Sequence, residues 1–275
     1  MSGLAGEMAG FDAFAFEAGG GTKTVFAGGE GRAVLLMHDV AGLTPGCMAL
    51  AGRLARGGLR VYVPLFFGWP GQSSRVLGFG QAVLSRGFNL FADEGTGALT
   101  DWLRPLCREI SARDHWRSIG VVGMGITGSF AFSLLMEPCV AAAVASHPST
   151  PLPLAERSRT YLGIPEEHLA NLRTRNDMRM LGWRFSEDRL CPPQRFRRLA
   201  QLMGRRFDGR VIPSGEGTAF AATAHAVLGS RNPQTPPIPD AIERTTRFLV
   251  ARLAAAEPDE DSSEPPARRE AARRA

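Results

Sequence analysis

Six residues, Gly123-Met124-Gly125-Ile126-Thr127-Gly128, stand between an apolar run that reads as a strand (Ser118 to Val122) and another that reads as a helix (Ile126 to Glu137). A strand-turn-helix junction of this kind strains its central residue, so that a Ser or Cys there projects its side chain toward the first N–H groups of the helix. The central residue here is Gly125, which projects nothing. Two readings fit it: a turn glycine needed for positive φ or close backbone approach, or the vacated place of a nucleophile. Thr127 lies inside the helix start and is β-branched, and Ser129 is a further half-turn on; hydrogen bonding at the helix start accounts for both better than attack does. Cys47, Cys107, Cys139 and Cys191 show no C-x-x-C spacing and no paired His ligands. That pattern points away from a disulfide framework or zinc site and toward packing roles in a reduced compartment. Cys191, three residues after Asp188, is the candidate among them for a substitute nucleophile.

VLLMHDVAGLTP (Val34 to Pro45), VYVPLFFG (Val61 to Gly68), GMGITGSFA (Gly123 to Ala131), SEDRLCPPQRF (Ser186 to Phe196) and TAHAVLGS (Thr223 to Ser230) occur in that order. Together they resemble the dienelactone hydrolase family, over roughly Val25 to Ala255. The resemblance implies an α/β-hydrolase fold and hydrolysis of a carboxylic ester or lactone. It places the triad Asp on Asp188, the triad His on His225 and the nucleophile on Gly125, with the backbone N–H groups of Val40 and Ile126 as oxyanion donors. Asp39 stands where the family has a Glu that contacts the resting thiol, one methylene longer. His38 would orient the oxyanion loop, and Arg86 would approach the mouth and pair with a ligand carboxylate. Gly229 stands where a second carboxylate-binding Arg is often found.

Without the resemblance, Asp188 reads as a turn or capping residue, His225 as a half-buried histidine and His147, in an S-H-P-S loop, as a residue bonding nearby backbone. Three functional readings follow: a thiolate hydrolase, which Gly125 argues against; hydrolysis by a water in the vacated space, activated by His225; and a silent protein that retains the pocket. The expectation is a dienelactone-hydrolase-like protein with impaired activity and no cofactor or metal. The alternative is a non-catalytic binder of a small ester, lactone or related ligand. Gly125→Cys is expected to create hydrolysis of small activated esters.

These residues need a frame. Alternation at Phe11 to Glu17 and Thr22 to Ala27 around a glycine run predicts a hairpin, and short apolar runs at Ala33 to His38, Leu59 to Pro64, Val140 to Ser146 and Met178 to Phe185 predict buried strands. Arg210 to Pro213 reads as a last short strand. Helical spacing covers Pro45 to Arg56, Thr96 to Ala112, Gly163 to Arg173, Pro192 to Gly204 and Ala241 to Ala255. Alternating strands and helices give an α/β fold, a mostly parallel sheet with helices on both faces. His38, Asp39, Gly125, His147, Asp188 and His225 all follow predicted strands, so one carboxyl edge can collect them. Phe66 to Asn89 is expected to line the mouth.

At 275 residues and 44% hydrophobic, the chain suits one domain over residues 1–255. The Pro-, Ser- and charge-rich tail over 256–275 is expected to be disordered. No run approaches the ~18 apolar residues of a membrane span, and the N-terminus lacks a cationic start and apolar core, which favours the cytoplasm. The net charge of +5 is almost all Arg, with Lys23 the one lysine. Basic residues are spread along the chain, with much of the surplus between Arg195 and Arg206 and in the last residues, and no nucleic-acid module accompanies them, so neither nucleic acid nor membrane is an expected partner.

Overall fold

The computed structural model describes residues 10–19, 21–66, 68, 98–149, 160, 162, 166–230 and 232–256. Among the described residues eight strands form one sheet: β1 (Phe11–Ala18), β2 (Gly21–Gly28), β3 (Arg32–Met37), β4 (Leu59–Pro64), β5 (Ile119–Met124), β6 (Val140–Ser146), β7 (Arg179–Phe185) and β8 (Phe207–Ile212). Their spatial order is β1-β2-β4-β3-β5-β6-β7-β8. The hairpin β1–β2 is antiparallel and joins β4 antiparallel, while β3 to β8 run parallel to one another.

The strand side chains alternate between two cores, as the pleat requires. Leu35, Met37, Val121, Ala143 and Ala145 face one side with Trp102, Leu103 and Leu106 of helix α2 (Ala98–Arg113) and Phe132 of α3 (Ile126–Leu134). Val34, Leu36, Val122, Met124 and Val144 face the other, with Leu50 and Leu54 of α1 (Pro45–Arg56) and Leu249 and Leu253 of a long closing helix. Being covered on both faces is what makes β3, β5 and β6 read as unbroken apolar runs. Helices α4 (Glu166–Thr174), α5 (Pro193–Met203) and α6 (Ile238–Ala256, the closing helix) complete the layers.

From β3 the chain builds outward on one side to β4 and on the other to β5. The crevice at the carboxyl ends of β3 and β5 is therefore where such sheets accept ligands. The register decides what meets there: Met37 pairs with Gly123, so the residues two further on, Asp39 and Gly125, emerge side by side. Gly123 is required by close approach, because a Cβ there would collide with the Thr127 carbonyl oxygen. Thr127 fastens the junction: its buried hydroxyl accepts the Met124 N–H at 2.9 Å and lies 3.0 Å from the Met37 carbonyl and 2.9 Å from that of Met124.

Most elements stand where the sequence places them. Strand β8 begins at Phe207 instead of Arg210, since an edge strand carrying Asp208 and Arg210 lacks an apolar alternation; its charges, paired with each other and with Arg244, also guard the edge. Helix α6 begins three residues earlier than its apolar spacing suggests, at Ile238. The Phe66 to Asn89 stretch, Arg86 included, lies almost wholly outside the described residues, as does the tail beyond Ala256.

Thr127→Val keeps the shape of the side chain but leaves the buried Met124 N–H unpaired. It is expected to lower stability by about 1–3 kcal/mol, read as a fall in the urea midpoint at unchanged slope; an unchanged midpoint would show that the hydroxyl does not hold the junction.

Candidate active site

Gly125 caps α3 with φ 58° and ψ −123°, a conformation open essentially to glycine alone unless the surroundings enforce it. Its N–H donates to the Ser146 carbonyl at 3.0 Å, and its own carbonyl accepts from Ser149 and Gly128, each at 3.0 Å. The turn has the shape of a nucleophile's seat. The space above it is filled: a Cβ at residue 125 would overlap Oδ1, Cγ and Oδ2 of Asp39.

The Asp39 carboxylate takes both the nucleophile's place and its anion-binding groups. Oδ1 accepts the Val40 N–H at 2.7 Å and the Ile126 N–H at 3.3 Å, the two donors that the sequence assigns to an oxyanion. Oδ2 lies 3.9 Å from His147 Nε2, and the side chain remains a quarter exposed. Burial pushes the Asp39 carboxyl upward, but His147, His225 and the Val40 N–H oppose it more strongly, and the net direction is down. An anion held on two backbone N–H groups is stable for the same reason an oxyanion would be.

His38 holds this loop in place. Its Nδ1–H donates to the Asp39 carbonyl at 2.7 Å, and Nε2 accepts the Phe66 N–H at 3.0 Å, a pairing that only the neutral ring satisfies. Burial pushes it down to about 4.

Asp188 and His225 come together as expected, with Nδ1 of His225 2.7 Å from Asp188 Oδ2. Asp188 also holds its own turn, as the sequence reading without the resemblance expects. Its Oδ1 accepts the N–H groups of Leu190 (2.9 Å) and Cys191 (3.2 Å), while Arg184 ties the same turn through the carbonyls of Cys191 and Ser186. One oxygen thus builds the turn and the other orients the imidazole through Nδ1.

His147 is the residue whose importance the sequence understates. It follows β6 directly, in a left-handed conformation (φ 44°) that costs on the order of 1 kcal/mol or more. Its neighbour Ser146 accepts the Leu228 N–H at 3.1 Å and so gives its own proton to His147 Nδ1 at 2.8 Å; the Val227 N–H points at the same nitrogen from 3.3 Å. A backbone N–H can only donate, so Nδ1 is an acceptor and the proton resides on Nε2. These bonds also draw the 223–230 loop onto β6, which is how His225 reaches the site: the two rings meet edge-on with centroids 4.5 Å apart. Among the described residues His147 Nε2 is buried without a hydrogen-bond partner, and burial followed by the neighbouring His225 lowers the ring's pKa.

One ligand-type atom from each of Asp39, His147 and His225 lies within 4.8 Å of the others, a spacing that a divalent ion can bridge. The tautomer opposes this use, since His147 presents a proton there in place of a lone pair. A cavity of about 390 Å³ is bordered by Asp39 and His147, with Cys47, Met124, Ala226 and Gly229 among its other walls; His225 is not part of its lining. Neither cysteine near the site is activated: burial pushes the Cys47 and Cys191 thiols up to about 12. Thr127 is spent on the β3–β5 junction, and Ser129 donates to the Ser149 carbonyl at 3.4 Å. Arg86 lies outside the described residues.

No family profile and no curated protein matches this chain by sequence. Its fold is that of known α/β-hydrolases. A Klebsiella pneumoniae protein described as a dienelactone hydrolase superposes with a TM-score of 0.61 at 13% identity, over 87% of this chain and 98% of that one. A dienelactone hydrolase from Anabaena variabilis gives 0.59 at 13% over 88% and 97%. An α/β serine hydrolase homologue from Coxiella burnetii gives 0.53 at 15% over 86% and 97%. Among the described residues no helix is long and apolar enough to cross a membrane.

Buried neutral histidines make stability depend on pH. Between an ordinary imidazole value of about 6.5 and the value near 4 at His38, the unfolded chain binds a proton that the native state excludes. The stabilisation is therefore full above about pH 6.5 and lost toward pH 4, by up to about 3 kcal/mol, with His147 acting in the same direction. Urea unfolding across that window should show the fall, and His38→Asn should flatten it. A native state equally stable at pH 4 and pH 6.5 would mean that His38 is not held neutral.

Proposed function

We propose that this chain is a small-molecule hydrolase by descent, similar to the dienelactone hydrolases and esterases, in which covalent acyl chemistry at the elbow is closed. The pocket is retained for a small, largely apolar ligand. One observation carries the reading: the Asp39 carboxylate lies where the nucleophile's Cβ would be and holds both oxyanion N–H groups. An ester carbonyl entering this site meets an anion where it needs donors, so the uncatalysed barrier is not lowered at the step that forms the tetrahedral oxyanion. The same fact revises the idea of a catalytic water in a vacated space, because the space belongs to Asp39. Asp188 and His225 keep the geometry of a general base and its orienting carboxylate, and the site faces a cavity of ligand size.

Gly125→Cys alone is therefore expected to gain little: its Cβ must first push the Asp39 carboxylate off the two N–H groups that hold it, and a non-Gly residue at this φ adds about 1–3 kcal/mol of strain. Removing the carboxylate at the same time, in Asp39→Ala/Gly125→Cys, frees the space and both N–H groups. The double variant should hydrolyse p-nitrophenyl acetate at least about 100-fold faster than the parent, a small part of the ~10⁶ that a nucleophile contributes in a triad enzyme. The gain should vanish with His225→Ala, and mass spectrometry should find an acetyl group on residue 125. A parent that is itself rapidly acylated, or a single Gly125→Cys variant as active as the double one, would show that Asp39 does not close the site.

A further inference from the structure

A second cavity, of about 440 Å³, opens at the Asp188 turn. Arg184, Glu187, Asp188, Arg189, Pro193 and Gln194 are among its walls, and Asp39, His147 and His225 are not. One of these walls is a buried charge. Arg184 is only 4% exposed, and a guanidinium taken out of water needs partners for its N–H groups and a counter-charge. Its Nε donates to the Cys191 carbonyl at 2.9 Å and its Nη2 to the Ser186 carbonyl at 3.0 Å. Both acceptors are neutral. Among the described residues Nη1 has no partner, and no carboxylate oxygen lies within ion-pair distance of the group. The Asp188 carboxylate belongs to the same turn but is committed elsewhere, Oδ1 to the Leu190 and Cys191 N–H groups and Oδ2 to His225.

Gln194, the second residue of α5, is another wall without a partner. Its Oε1 is buried with no donor, and its amide forms no hydrogen bond among the described residues. Turning the amide by 180° exchanges the orphaned acceptor for an NH₂ donor. The helix end around it lacks an anion of its own: Pro192 provides no side-chain cap, and the first turn holds no acidic residue. The positive end of α5 is therefore uncompensated from within the helix.

We propose that this cavity binds the carboxylate of a small organic monoanion, held by Arg184 Nη1 and the Gln194 amide. The buried guanidinium then gains the counter-charge it lacks, and the orphaned amide gains an acceptor. A singly charged carboxylate suits the walls better than a phosphate dianion, because Glu187 and Asp188 also border the cavity and repel a second negative charge. Pro192 and Pro193 offer the organic part of the ligand an apolar surface. The ligand and the Asp188 turn share one guanidinium, since Nε and Nη2 keep the Cys191 and Ser186 carbonyls while Nη1 takes the anion. Occupancy is thereby transmitted to the turn that orients His225. None of this depends on how Asp39 closes the elbow.

The test is a titration of the full-length protein with benzoate, with inorganic phosphate and with chloride, at neutral pH and constant ionic strength, followed through backbone amide signals by nuclear magnetic resonance. Benzoate is expected to shift the Leu190, Cys191 and Gln194 signals saturably, with a Kd of about 1 mM or tighter, and to leave Val40 and Ile126 in place. Gln194→Glu sets a carboxylate beside the anion, at a helix start where an acidic residue favours folding. It should weaken benzoate at least about tenfold through like-charge repulsion. Arg184→Lys keeps the charge but has one nitrogen to serve three acceptors, and it should weaken benzoate as well. The parent signals and Gln194→Glu keep the test decisive even if Arg184→Lys does not fold. Shifts that fail to saturate, shifts centred on Val40 and Ile126, phosphate or chloride bound as tightly as benzoate, or undiminished affinity in Gln194→Glu would each overturn the proposal.

Discussion

Two backbone N–H groups at the ends of neighbouring strands share one carboxylate oxygen, and the rest of the site is arranged around that fact. Val40 follows β3 and Ile126 opens α3 after β5; each leaves a donor that the sheet and helix do not satisfy. Asp39 Oδ1 accepts from both, in charge-assisted bonds of the kind that contribute roughly 1.5–3 kcal/mol each. The pairing of Met37 with Gly123 makes it possible, and His38 fixes the loop by holding the Asp39 carbonyl. A side chain at residue 125 would have to displace this carboxylate from its place. Gly125 is therefore needed twice, for its φ of 58° and for the space above it.

The same anion changes what its neighbours can do. In a thiolate site the His-Asp pair serves a nucleophile on the elbow; here Asp188 and His225 face a carboxylate delivered from the β3 loop. His147, forced into a left-handed conformation and fixed in one tautomer by Ser146 and Val227, adds a buried donor 3.9 Å from Asp39 Oδ2. Such strain in a well-packed protein is usually tolerated at functional positions. The likeness to solved hydrolases, at 13–15% identity, establishes the fold; the chemistry is set by these few side chains.

Much of this was legible in the sequence, for identifiable reasons. Buried parallel strands and the amphipathic α1 announce themselves by composition and periodicity, and α1, β4 and β6 fall on their expected bounds. Asp188 and His225 could be placed because they sit in short segments whose order resembles a known family. The role of Asp39 could not. It depends on a strand register and on where a carboxylate settles once a side chain is missing 86 positions away, which no local pattern encodes. The S-H-P-S loop reads as backbone-bonding, and His147 does bond backbone, through Nδ1. The other nitrogen matters to the site, and only the fold shows where it points. Its one sequence signal was position, directly after a central strand.

The claim on which everything else depends is that the Asp39 carboxylate is ionised and held by the Val40 and Ile126 N–H groups. Nuclear magnetic resonance reads this directly by following the Asp39 carboxyl carbon and the amide protons of Val40 and Ile126 while the pH is lowered. Both amide protons should lie far downfield at neutral pH and move together with the Asp39 carbon, at a midpoint below the ordinary Asp value of about 3.9. Amide protons at unremarkable shifts that ignore the Asp39 titration, or a carboxyl that titrates like that of a free Asp, would contradict it.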